Sequence, residues 1–531
     1  MLKIKLFFIL LLSLISIHAY AVNGTVRTDA NDFIFIENDQ DSDMYIGLAT
    51  SHFDPRLTGS SAWVKYSRSK QISLGYAGMG VDKYLYSGYL LDIWDENSPI
   101  RQPYISQSCW TKDSGCNPAT STPTTAPYRV DNKGFYGLVT THNHEDYARL
   151  SNSFYQYVKA MPVDSSLSRD MNVCYIKGSY GFDNTKKCVD QPNHVLRTYH
   201  LTHTKKAHIK VMKTDAFSDI FIDTNGNPTI APGSKGCEFL NLSGYDGIAC
   251  DFVKFDIKAG GPNSYFDDTK FKIVFPDPVF APDSSSHVKI SIKGESWSSS
   301  NYSRNVEDML GHDTFQVFFS NRYLKKVISN STKDSTLLNN LLYLEFSHDT
   351  ATKSGYYEVS GSTTINVKPR DYAVSIISTD GLLHPRKEGK VGIDKLNFEY
   401  TVMQSAPVRS TSYELELSQD NPGTDSNGNC LFYRKGSHDK STAVAVPAYI
   451  KFLEKSGSYF NKKVNCDNGI VSLNDIKEDT AVSDGFGLIL HSKVNLIFDL
   501  RDPSLAKDMS GNDWEGNASQ SGKVTLRAIW N

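Results

Sequence analysis

Hydrophobic and polar residues alternate along much of the chain. Apolar side chains occupy every second position at residues 271–275, 288–292, 494–500 and 524–530. A period of two places one apolar row on a single face, which is typical of half-buried strands. Asn-Gly pairs at 225–226, 427–428 and 468–469 predict type I′ hairpins, in which both central residues have positive φ. The pattern predicts an all-β protein of tandem β-sandwich domains.

Two segments predict helices. Residues 147–161 form an amphipathic stretch that ends before Pro162, because proline cannot continue a helix. Residues 335–343, with the sequence STLLNNLLY, are the second predicted helix.

Two breaks divide the chain after its first 21 residues. Pro369 cannot donate to a strand ladder, so one break falls at residues 367–371. About 160 residues follow it, which is a suitable size for one sandwich domain. The other break is placed near residues 202–206. The predicted domains are therefore 22–205, 206–367 and 368–531.

Residues 1–21 have the features of a signal peptide. Lys3 and Lys5 provide a positive start, residues 6–17 are apolar apart from two serines, and residues 19–21 (AYA) fit a cleavage site. Cleavage there starts the mature chain at Val22. We therefore expect an exported protein, and no later apolar stretch is long enough to span a bilayer.

The composition describes a large globular protein. The chain has 531 residues, of which 39% are hydrophobic and 22% are charged, so we expect several folded domains. The formal net charge is -3 and becomes -5 once the two lysines of the signal peptide are removed. Because there is no basic excess, we do not expect a nucleic-acid partner.

Eight cysteines follow the cleavage site, which in an exported protein indicates disulfides. They are Cys109, Cys116, Cys174, Cys188, Cys237, Cys250, Cys430 and Cys466. No C-x-x-C motif occurs, which argues against a zinc ribbon or a thioredoxin-type redox site. Proximity in sequence favours the pairs 109–116, 174–188, 237–250 and 430–466, because short loops close at low entropic cost. Free buried thiols are the disfavoured alternative.

Enzyme motifs are absent from the sequence. The chain has neither a G-x-S-x-G nucleophile elbow nor a phosphate-binding G-x-x-x-x-G-K-[ST] loop. Paired carboxylates for glycoside hydrolysis cannot be chosen from sequence, because their separation is spatial. We predict no catalytic residue and no cofactor.

Four groups of residues are weighed as metal sites. Residues 142–146 (HNHED) begin like a zincin motif but have Ala148 in place of the second histidine, so we interpret them as a polar loop. Residues 39–43 and 425–428 resemble parts of calcium loops, and turns account for both. His200, His203 and His208 are interpreted as ordinary surface histidines. We therefore predict no metal site.

Several stretches resemble one protein family in their order along the chain. They are residues 33–38 (FIFIEN), 54–59 (DPRLTG), 96–99 (ENSP), 134–137 (GFYG), 154–157 (FYQY), 161–163 (MPV), 202–205 (THTK), 221–222 with the Asn-Gly pair and Pro228, 368–371 (KPRD) and 375–378 (SIIS). The chain resembles the tip adhesins of the common pilus (Mat fimbria, Ecp-type). These are chaperone–usher fimbrial subunits related to colonisation-factor tip adhesins. The resemblance covers nearly all of the chain after the signal peptide.

The resemblance implies roles for the predicted domains. Residues 22–205 are expected to be an N-terminal adhesin β domain, 206–367 a second β domain, and 368–531 a C-terminal pilin domain. The pilin domain is expected to have an immunoglobulin-like fold that lacks one strand. The donor strand of the next subunit fills the resulting groove.

The resemblance also implies partners and a location. The expected partners are a periplasmic chaperone, an outer-membrane usher, the major pilin subunit and a host-cell receptor, for which a glycan is one candidate. The expected location is the tip of a fimbrium on the cell surface, reached through the periplasm.

The last apolar run is the predicted assembly strand. Its members are Gly522, Val524, Leu526, Ala528 and Trp530, and they resemble the glycine and near-terminal aromatic pattern of pilin C-termini. A chaperone strand would pair with such a strand. The alternative is a terminal core strand with no assembly role, and the sequence leaves both open.

The first residues of the mature chain predict a position in the fibre. Residues 22–32 lack the alternating apolar row that a donor strand needs to fill a series of pockets. A subunit that accepts a strand but donates none belongs at the end of a fibre, if the family's assembly mode applies.

Receptor contacts are predicted only as weak candidates. Arginine and aromatic residues are favoured at recognition sites, and the candidates are Arg56, Tyr136, Arg149, Tyr155 and Tyr157. For each, a role in the core or scaffold is the stronger interpretation. The receptor-contact residues of the family cannot be assigned to this chain by motif.

The expected function is that of a tip adhesin rather than an enzyme. It would attach a fimbria to host cells or surfaces and contribute to biofilm. A non-adhesive structural or assembly-initiating subunit is the alternative, and an unrelated secreted carbohydrate-active protein is a remote one.

Overall fold

Strands form most of the regular structure, and the all-β prediction is confirmed. The computed structural model describes residues 25–41, 43–48, 76–77, 88–109, 127–140, 146–178, 185–261, 269–348, 356–421 and 423–531. Among these residues, no helix is both long and apolar enough to cross a membrane.

The elements are numbered in chain order. Strands β1 to β10 are Thr25–Asn38, Asp43–Leu48, Tyr76–Ala77, Tyr89–Glu96, Tyr104–Cys109, Arg129–Val130, Gly134–Val139, Asp146–Leu150, Ser166–Lys177 and Val195–Met212. Strands β11 to β23 are Phe217–Ile222, Pro228–Ile230, Cys237–Leu242, Tyr245–Ala259, Thr269–Val274, Val288–Ile292, Ser298–Ser299, Arg304–Asn305, Thr314–Ser320, Thr336–Leu337, Tyr343–His348, Tyr356–Val359 and Thr364–Pro369. Strands β24 to β35 are Ala373–Ser378, Lys395–Ala406, Ser412–Gln419, Cys430–Arg434, Val444–Val446, Ala448–Leu453, Tyr459–Val464, Asp467–Ser472, Asp479–Asp484, Gly487–Asp499, Ala518–Ser519 and Gly522–Ile529. The α-helices are α1 (Asn152–Ala160) and α2 (Asn321–Asn330). Short 3-10 helices are Cys188–Asp190, Pro278–Phe280, Val306–Met309, Leu338–Asn340, Lys440–Thr442 and Pro503–Ala506.

One large sheet joins the N-terminal and middle parts of the chain. Its main path is β17-β16-β19-β14-β10-β9-β4-β7-β6, with β1 attached to β10, β2 to β1 and β13 to β14. The long strand β10 pairs with β9 at residues 195–204 and with β14 at 207–212, while β1 runs parallel to it on the other side. β10 therefore contributes its first part to the N-terminal domain and its last part to the middle domain.

The predicted boundary between residues 205 and 206 falls inside β10. Side chains from Tyr199 to Met212 alternate between buried and partly exposed positions without a break. Lys205 occupies one of the buried positions and is 0% exposed, so the Lys205-Lys206 pair does not mark a loop. The division between the two domains moves to the segment after Met212.

The middle domain comprises β11 to β23 and the end of β10. Two small sheets, β12-β11-β23-β20 and β18-β15-β21-β22, share one apolar core with the large sheet. Helix α2, which the sequence analysis did not predict, packs on this core through Tyr323, Leu324 and Val327. Ser320 begins the helix, because its side chain accepts a hydrogen bond from Tyr323 N at 3.3 Å.

The C-terminal domain contains three sheets. Their orders are β24-β25-β33-β29-β30 with β32 beside β33, β31-β26-β35, and β28-β27-β34. Leu415, Ile450, Val494 and Leu526 come from the first two sheets and meet in one core, as in a sandwich. The predicted boundary between residues 367 and 368 falls inside β23, just before that strand ends at Pro369. It therefore moves to residues 370–372.

The helix at 147–161 is shorter than predicted, and the one at 335–343 is not formed. Residues 146–150 pair with β5 as β8, and α1 begins after Ser151, whose Oγ accepts a hydrogen bond from Phe154 N at 3.2 Å. In the second segment, Leu338 and Leu342 are buried four residues apart, which imitates a helical face. Residues 336–337 instead pair with β23.

The Asn-Gly pairs lie at turns, but the type I′ prediction is wrong. Of each pair, positive φ occurs at one residue, namely Gly226 (+92°), Gly428 (+75°) and Asn468 (+57°). In the first two loops an aspartate, Asp223 or Asp425, accepts hydrogen bonds from the backbone N–H groups two and four residues ahead. These bonds stabilise a longer loop than a two-residue hairpin turn.

Three disulfides have the pairing predicted from sequence proximity. They are Cys174–Cys188, Cys237–Cys250 and Cys430–Cys466. Cys109 is the last residue of β5, and Cys116 lies outside the described residues. The pair 109–116 therefore stays a prediction.

Candidate functional site

The predicted assembly strand forms an open edge of the C-terminal domain. Strand β35 pairs along its whole length with β26, from Ser412↔Ile529 to Gln419↔Gly522. Strand β24 pairs with β25. Within the described residues, β24 and β35 lie next to each other without strand pairing between them. We call the surface along these two edges the β24–β35 groove.

The floor of the β24–β35 groove is apolar. Val374 and Ile376 on β24, and Val524 and Ala528 on β35, pack on the main core of the domain but stay partly exposed. Leu526, between the two β35 residues, is 8% exposed. A row of half-covered apolar side chains beside an unpaired strand edge is a surface on which a further strand can add.

The structure brings four of the five predicted assembly residues onto β35. A Cβ on Gly522 would lie 2.5 Å from Ser418 O, so the close approach of β26 requires glycine there. Trp530 follows the strand, where its Nε1 donates a hydrogen bond to Val408 O at 3.0 Å. Its ring meets that of Tyr372 edge to face at 5.6 Å. Trp530 therefore fastens the end of β35 to the neighbouring loop.

Residues 25–32, part of the segment predicted to be a poor donor strand, belong to β1. Thr25↔Arg197 through Asp32↔Thr204 pair in parallel with β10. Residues 33–38 continue the same pairing and also meet β2. This segment is a strand of the sheet of its own domain.

The receptor candidates with described side chains, Tyr136, Tyr155 and Tyr157, lie in different surroundings. Tyr136 is 1% exposed and lies beneath the guanidinium of Arg129, 4.4 Å from the ring centre. Tyr155 is buried in the N-terminal core, and Tyr157 packs partly against it. The backbone of Arg149 lies in β8, and Arg56 lies outside the described residues.

Sequence reasoning missed a buried polar cluster in the N-terminal domain. Arg169 Nη1 donates to both carboxylate oxygens of Asp95, at 3.2 and 3.1 Å, and contacts the hydroxyl of Tyr104. Tyr104 in turn donates to Asp95 at 2.7 Å. Arg169 Nη2 lies 3.1 Å from Nε2 of His203, so the prediction of a surface histidine is wrong there.

Burial governs the ionisation of this cluster. It raises the pKa of Asp95 to about 6, against the lowering effect of Arg169. Burial, and then the charge of Arg169, hold the pKa of His203 well below its usual value. Side chains of Asp95 and Arg169 are 0% and 1% exposed, so solvent and substrate do not reach them. The cluster is part of the interior rather than a catalytic centre.

Lys205 is a second buried charge in the same domain. Its Nζ donates to the carbonyl oxygens of Val158, Lys159 and Met161 at 2.9, 3.0 and 2.9 Å, and these lie at the C-terminal end of α1. Burial lowers the pKa of Lys205 to about 8. A cation at this end of a helix satisfies carbonyl groups that have no partner within the helix.

The residues weighed as metal ligands have protein partners. Asp41 accepts hydrogen bonds from Asn38 Nδ2 at 2.8 Å and Ser360 N at 3.0 Å. His208 Nε2 lies 3.2 Å from Glu37, and residues 142–145 lie outside the described part of the chain. In the ranges that the structure describes, no three or more His, Cys, Asp or Glu side chains converge to hold a metal ion.

Family models match three successive parts of the chain. The E. coli common pilus adhesin EcpD N-terminal domain matches residues 21–209, the EcpD middle domain 213–364 and the EcpD C-terminal domain 371–528. The chain belongs to the EcpD family of common pilus adhesins. It is therefore a fimbrial adhesin, a type of surface-exposed subunit. The limits of the EcpD models fall beside the divisions set by β10 and β23.

Curated relatives also carry the EcpD name. "Fimbria adhesin EcpD" from Escherichia coli O157:H7 and from strain K12 are each 28% identical to this chain over 528 residues. Each match covers 96% of this chain and 95% of the relative. Among solved structures, a point mutant of the CfaE adhesin of CFA/I fimbriae of enterotoxigenic E. coli is 9% identical, with a TM-score of 0.21 and coverage of 96% and 94%. The CsuC–CsuE complex of Acinetobacter baumannii Csu pili is 10% identical, with a TM-score of 0.18 and coverage of 61% and 100%.

Proposed function

We propose that this EcpD-family chain is the tip subunit of a chaperone–usher fimbria. It attaches the fibre to host cells or surfaces, contributes to biofilm, and accepts a donor strand from the major pilin. The observation that carries the proposal is the β24–β35 groove, with its unpaired edge and half-covered apolar floor.

The groove is the site for an added strand. Donor residues at every second position would cover Val374, Ile376, Val524 and Ala528, while their backbone groups pair with the free edge of β35. An open apolar edge also favours aggregation. A periplasmic chaperone covers the groove before the usher receives the subunit. The covered edge then does not aggregate. The domain is then the expected immunoglobulin-like pilin fold that lacks one strand.

The tip position follows from the N-terminal strand. Because β1 is paired with β10, residues 25–38 are held in their own sheet and are not offered to a neighbouring subunit. The chain then accepts a strand and donates none from this segment. Export through a signal peptide at residues 1–21 and a role without catalysis complete the proposal.

Binding of the donor strand tests the groove. The full mature chain is mixed with a peptide of the major pilin's N-terminal strand, and hydrogen exchange is followed in β24 and β35. The expected result is protection of both strands, which a scrambled peptide of the same composition does not give. Equal exchange with both peptides would overturn the groove assignment.

Adhesion is tested separately. The mature chain with the donor strand fused after Asn531 is expected to bind epithelial cells saturably. A folded, disulfide-bonded chain that does not bind would indicate a structural or assembly-initiating subunit instead.

A further inference from the structure

The outer face of the N-terminal sheet is polar and partly open to solvent, with Asn172 at its centre only 7% exposed. Side chains that point away from the core on β4, β9 and β10 stand in rows across the sheet. Glu96, Asp170 and His200 form one row, and Trp94, Asn172 and Thr198 form the next. Their side chains lie opposite to the buried Ile93 and Val173. The side chains of Glu96, Asp170 and His200 are 43%, 30% and 45% exposed.

Hydrogen bonds hold these polar groups in place. His200 Nδ1 contacts Asp170 Oδ1, and Asn97 Nδ2 donates to Asp170 Oδ2 at 3.1 Å. Thr198 Oγ1 donates to Asn172 Oδ1 at 2.7 Å. The hydrogen bond from His200 also lowers the pKa of Asp170, so this carboxylate is ionised and accepts hydrogen bonds at neutral pH. The face therefore presents fixed donors and acceptors rather than mobile side chains.

Trp94 is a partly exposed aromatic ring in the middle of this polar surface. Its Nε1 donates to Glu96 Oε1 at 3.0 Å, and its ring stacks on Tyr136 with 6.2 Å between centres and 25° between planes. Across the ladder from Trp94 lies Gly134, where a Cβ would come within 2.6 Å of Trp94 Cα. The orientation of the indole is thus set by its neighbours before any ligand arrives.

Charges of both signs lie near Trp94. Lys133 Nζ lies 2.6 Å from Glu96, Arg129 lies 3.8 Å from Asp131, and Lys187 Nζ lies 5.2 Å from the centre of the Tyr136 ring. Because the signs are mixed, this surface has no field of a single sign that would favour a strongly charged partner. An aromatic face beside paired, planar hydrogen-bonding groups instead suits a sugar ring. The C–H face of the ring packs on the indole, while its hydroxyls both donate and accept.

We propose that this surface, centred on Trp94 with Glu96, Asp170 and His200 beside it, binds a neutral pyranose of a host glycan. The inference rests on the adhesive function proposed above and names its ligand class. Of the sequence candidates whose side chains the structure describes, Tyr136 takes part, and it supports Trp94 from beneath rather than touching the sugar.

The test uses the full mature chain with the groove closed by the fused donor strand. Wild type, Trp94→Ala and His200→Ala are measured on an array of neutral and acidic glycans and on epithelial cells. Trp297→Ala is the matched control, because Trp297 is a partly exposed tryptophan of the middle domain that packs on Phe318. We expect Trp94→Ala to weaken binding of neutral glycans by about tenfold or more. We expect the control to bind as wild type does.

The outcomes separate this inference from the proposed function. If wild type does not adhere to cells, the adhesive function itself fails. If wild type adheres but Trp94→Ala and His200→Ala adhere equally well, the function stands and the surface is wrong. If adhesion needs Trp94 but survives enzymatic deglycosylation of the cells, or if acidic glycans alone bind, the ligand class is wrong. If Trp94→Ala loses its cooperative thermal transition, it is not folded. His200→Ala, which changes an exposed residue, then tests the surface.

Discussion

The N-terminal and C-terminal domains differ in how their edge strands are paired and in which side chains they bury. The N-terminal domain pairs its first strand within its own sheet and buries charged groups, among them Asp95, Arg169 and Lys205. The C-terminal domain has a mainly apolar core and leaves the edges of β24 and β35 without each other as partners. In the described residues, the first domain pairs its own first strand, whereas the second has the edges that we propose to receive a strand of another chain.

The difference indicates what fixes the strand register in the N-terminal domain and what selects an added strand in the C-terminal domain. A buried ion pair tolerates no shift in register, because a slip of one residue would leave both charges unpaired or move them to the other face. An apolar groove accepts any strand with the right alternation. The charged interior therefore suits a domain that must keep one shape, and the apolar groove suits an assembly site.

The largest effect is expected from breaking the buried pair. Arg169→Ala leaves the Asp95 carboxylate buried without its bidentate partner, which costs about 3–5 kcal/mol of stability. Urea unfolding, followed by a signal from the N-terminal domain, would measure this loss of stability. A loss below about 1 kcal/mol would mean that the pair does not hold this core together.

Completing the C-terminal sheet is expected to have an effect of similar size and opposite sign. A donor strand fused after Asn531 acts as a tethered ligand for the native state. It should raise the free energy of unfolding of this domain by about 4 kcal/mol. A free ligand gives this stabilisation when its concentration is a thousand times its dissociation constant. Calorimetry should show the C-terminal transition move up while the N-terminal one stays. Movement of both transitions would contradict the contrast between the domains.

The raised pKa of Asp95 predicts a pH dependence confined to the N-terminal domain. Its folded value of about 6 exceeds the ordinary value of 3.8, so the folded state binds more protons between these values. Asp95 should therefore contribute a fall in the free energy of unfolding of this domain as pH rises from about 4 to about 6, by at most about 3 kcal/mol, whereas the lowered pKa of His203 contributes a rise. Asp95→Asn should remove the contribution of Asp95, so the difference between wild type and variant measures it, and identical pH profiles would contradict the prediction.

Removing the buried lysine is expected to have a smaller effect. Lys205→Met keeps the chain length but leaves the carbonyls of Val158, Lys159 and Met161 without their donor, at a cost of about 2 kcal/mol. Hydrogen exchange at the C-terminal end of α1 should rise together with the loss of stability. An unchanged melting temperature would show that water replaces the ammonium group without cost.

The smallest effect is expected from an exposed ion pair in the C-terminal domain. Arg527 Nη2 lies 2.6 Å from Glu416 Oε2, and the arginine side chain is 58% exposed. Arg527→Ala should change stability by less than about 1 kcal/mol, because solvent screens the pair. This variant is the matched control for Arg169→Ala. A comparable loss in both would remove the distinction between buried and exposed charge.

Local features of the fold were predictable because they depend on neighbouring residues. The alternation at 524–530 correctly indicated which side chains of β35 face the core, and sequence proximity predicted three disulfide pairs. The helix predicted at 335–343 is not formed, because the local pattern there is compatible with two structures. Leucines spaced four apart satisfy either a helix or a turn between strands, and contacts with β23 decide between them.

The candidate site was predictable in part. Gly522, Val524, Leu526 and Ala528 were named from the pattern, whereas their neighbour across the groove, β24, is almost 150 residues away in sequence. Trp94 was not named as a candidate, because nothing in its local sequence indicates that it stacks on Tyr136. The polar residues at inward positions of β4, β9 and β10 were the one signal that could have indicated the buried cluster.

The sequence by itself determined the all-β class, the inward face of strands such as β35, three disulfide pairs and the family. The tertiary structure decided the parallel pairing of β1 with β10, the continuation of β10 through both domains, the β24–β35 groove and the burial of Asp95 with Arg169. Alternation records which way a side chain points, since that depends on the backbone of its own strand. It carries no information on which distant strand lies alongside, because that choice depends on the fit of whole faces brought together by folding.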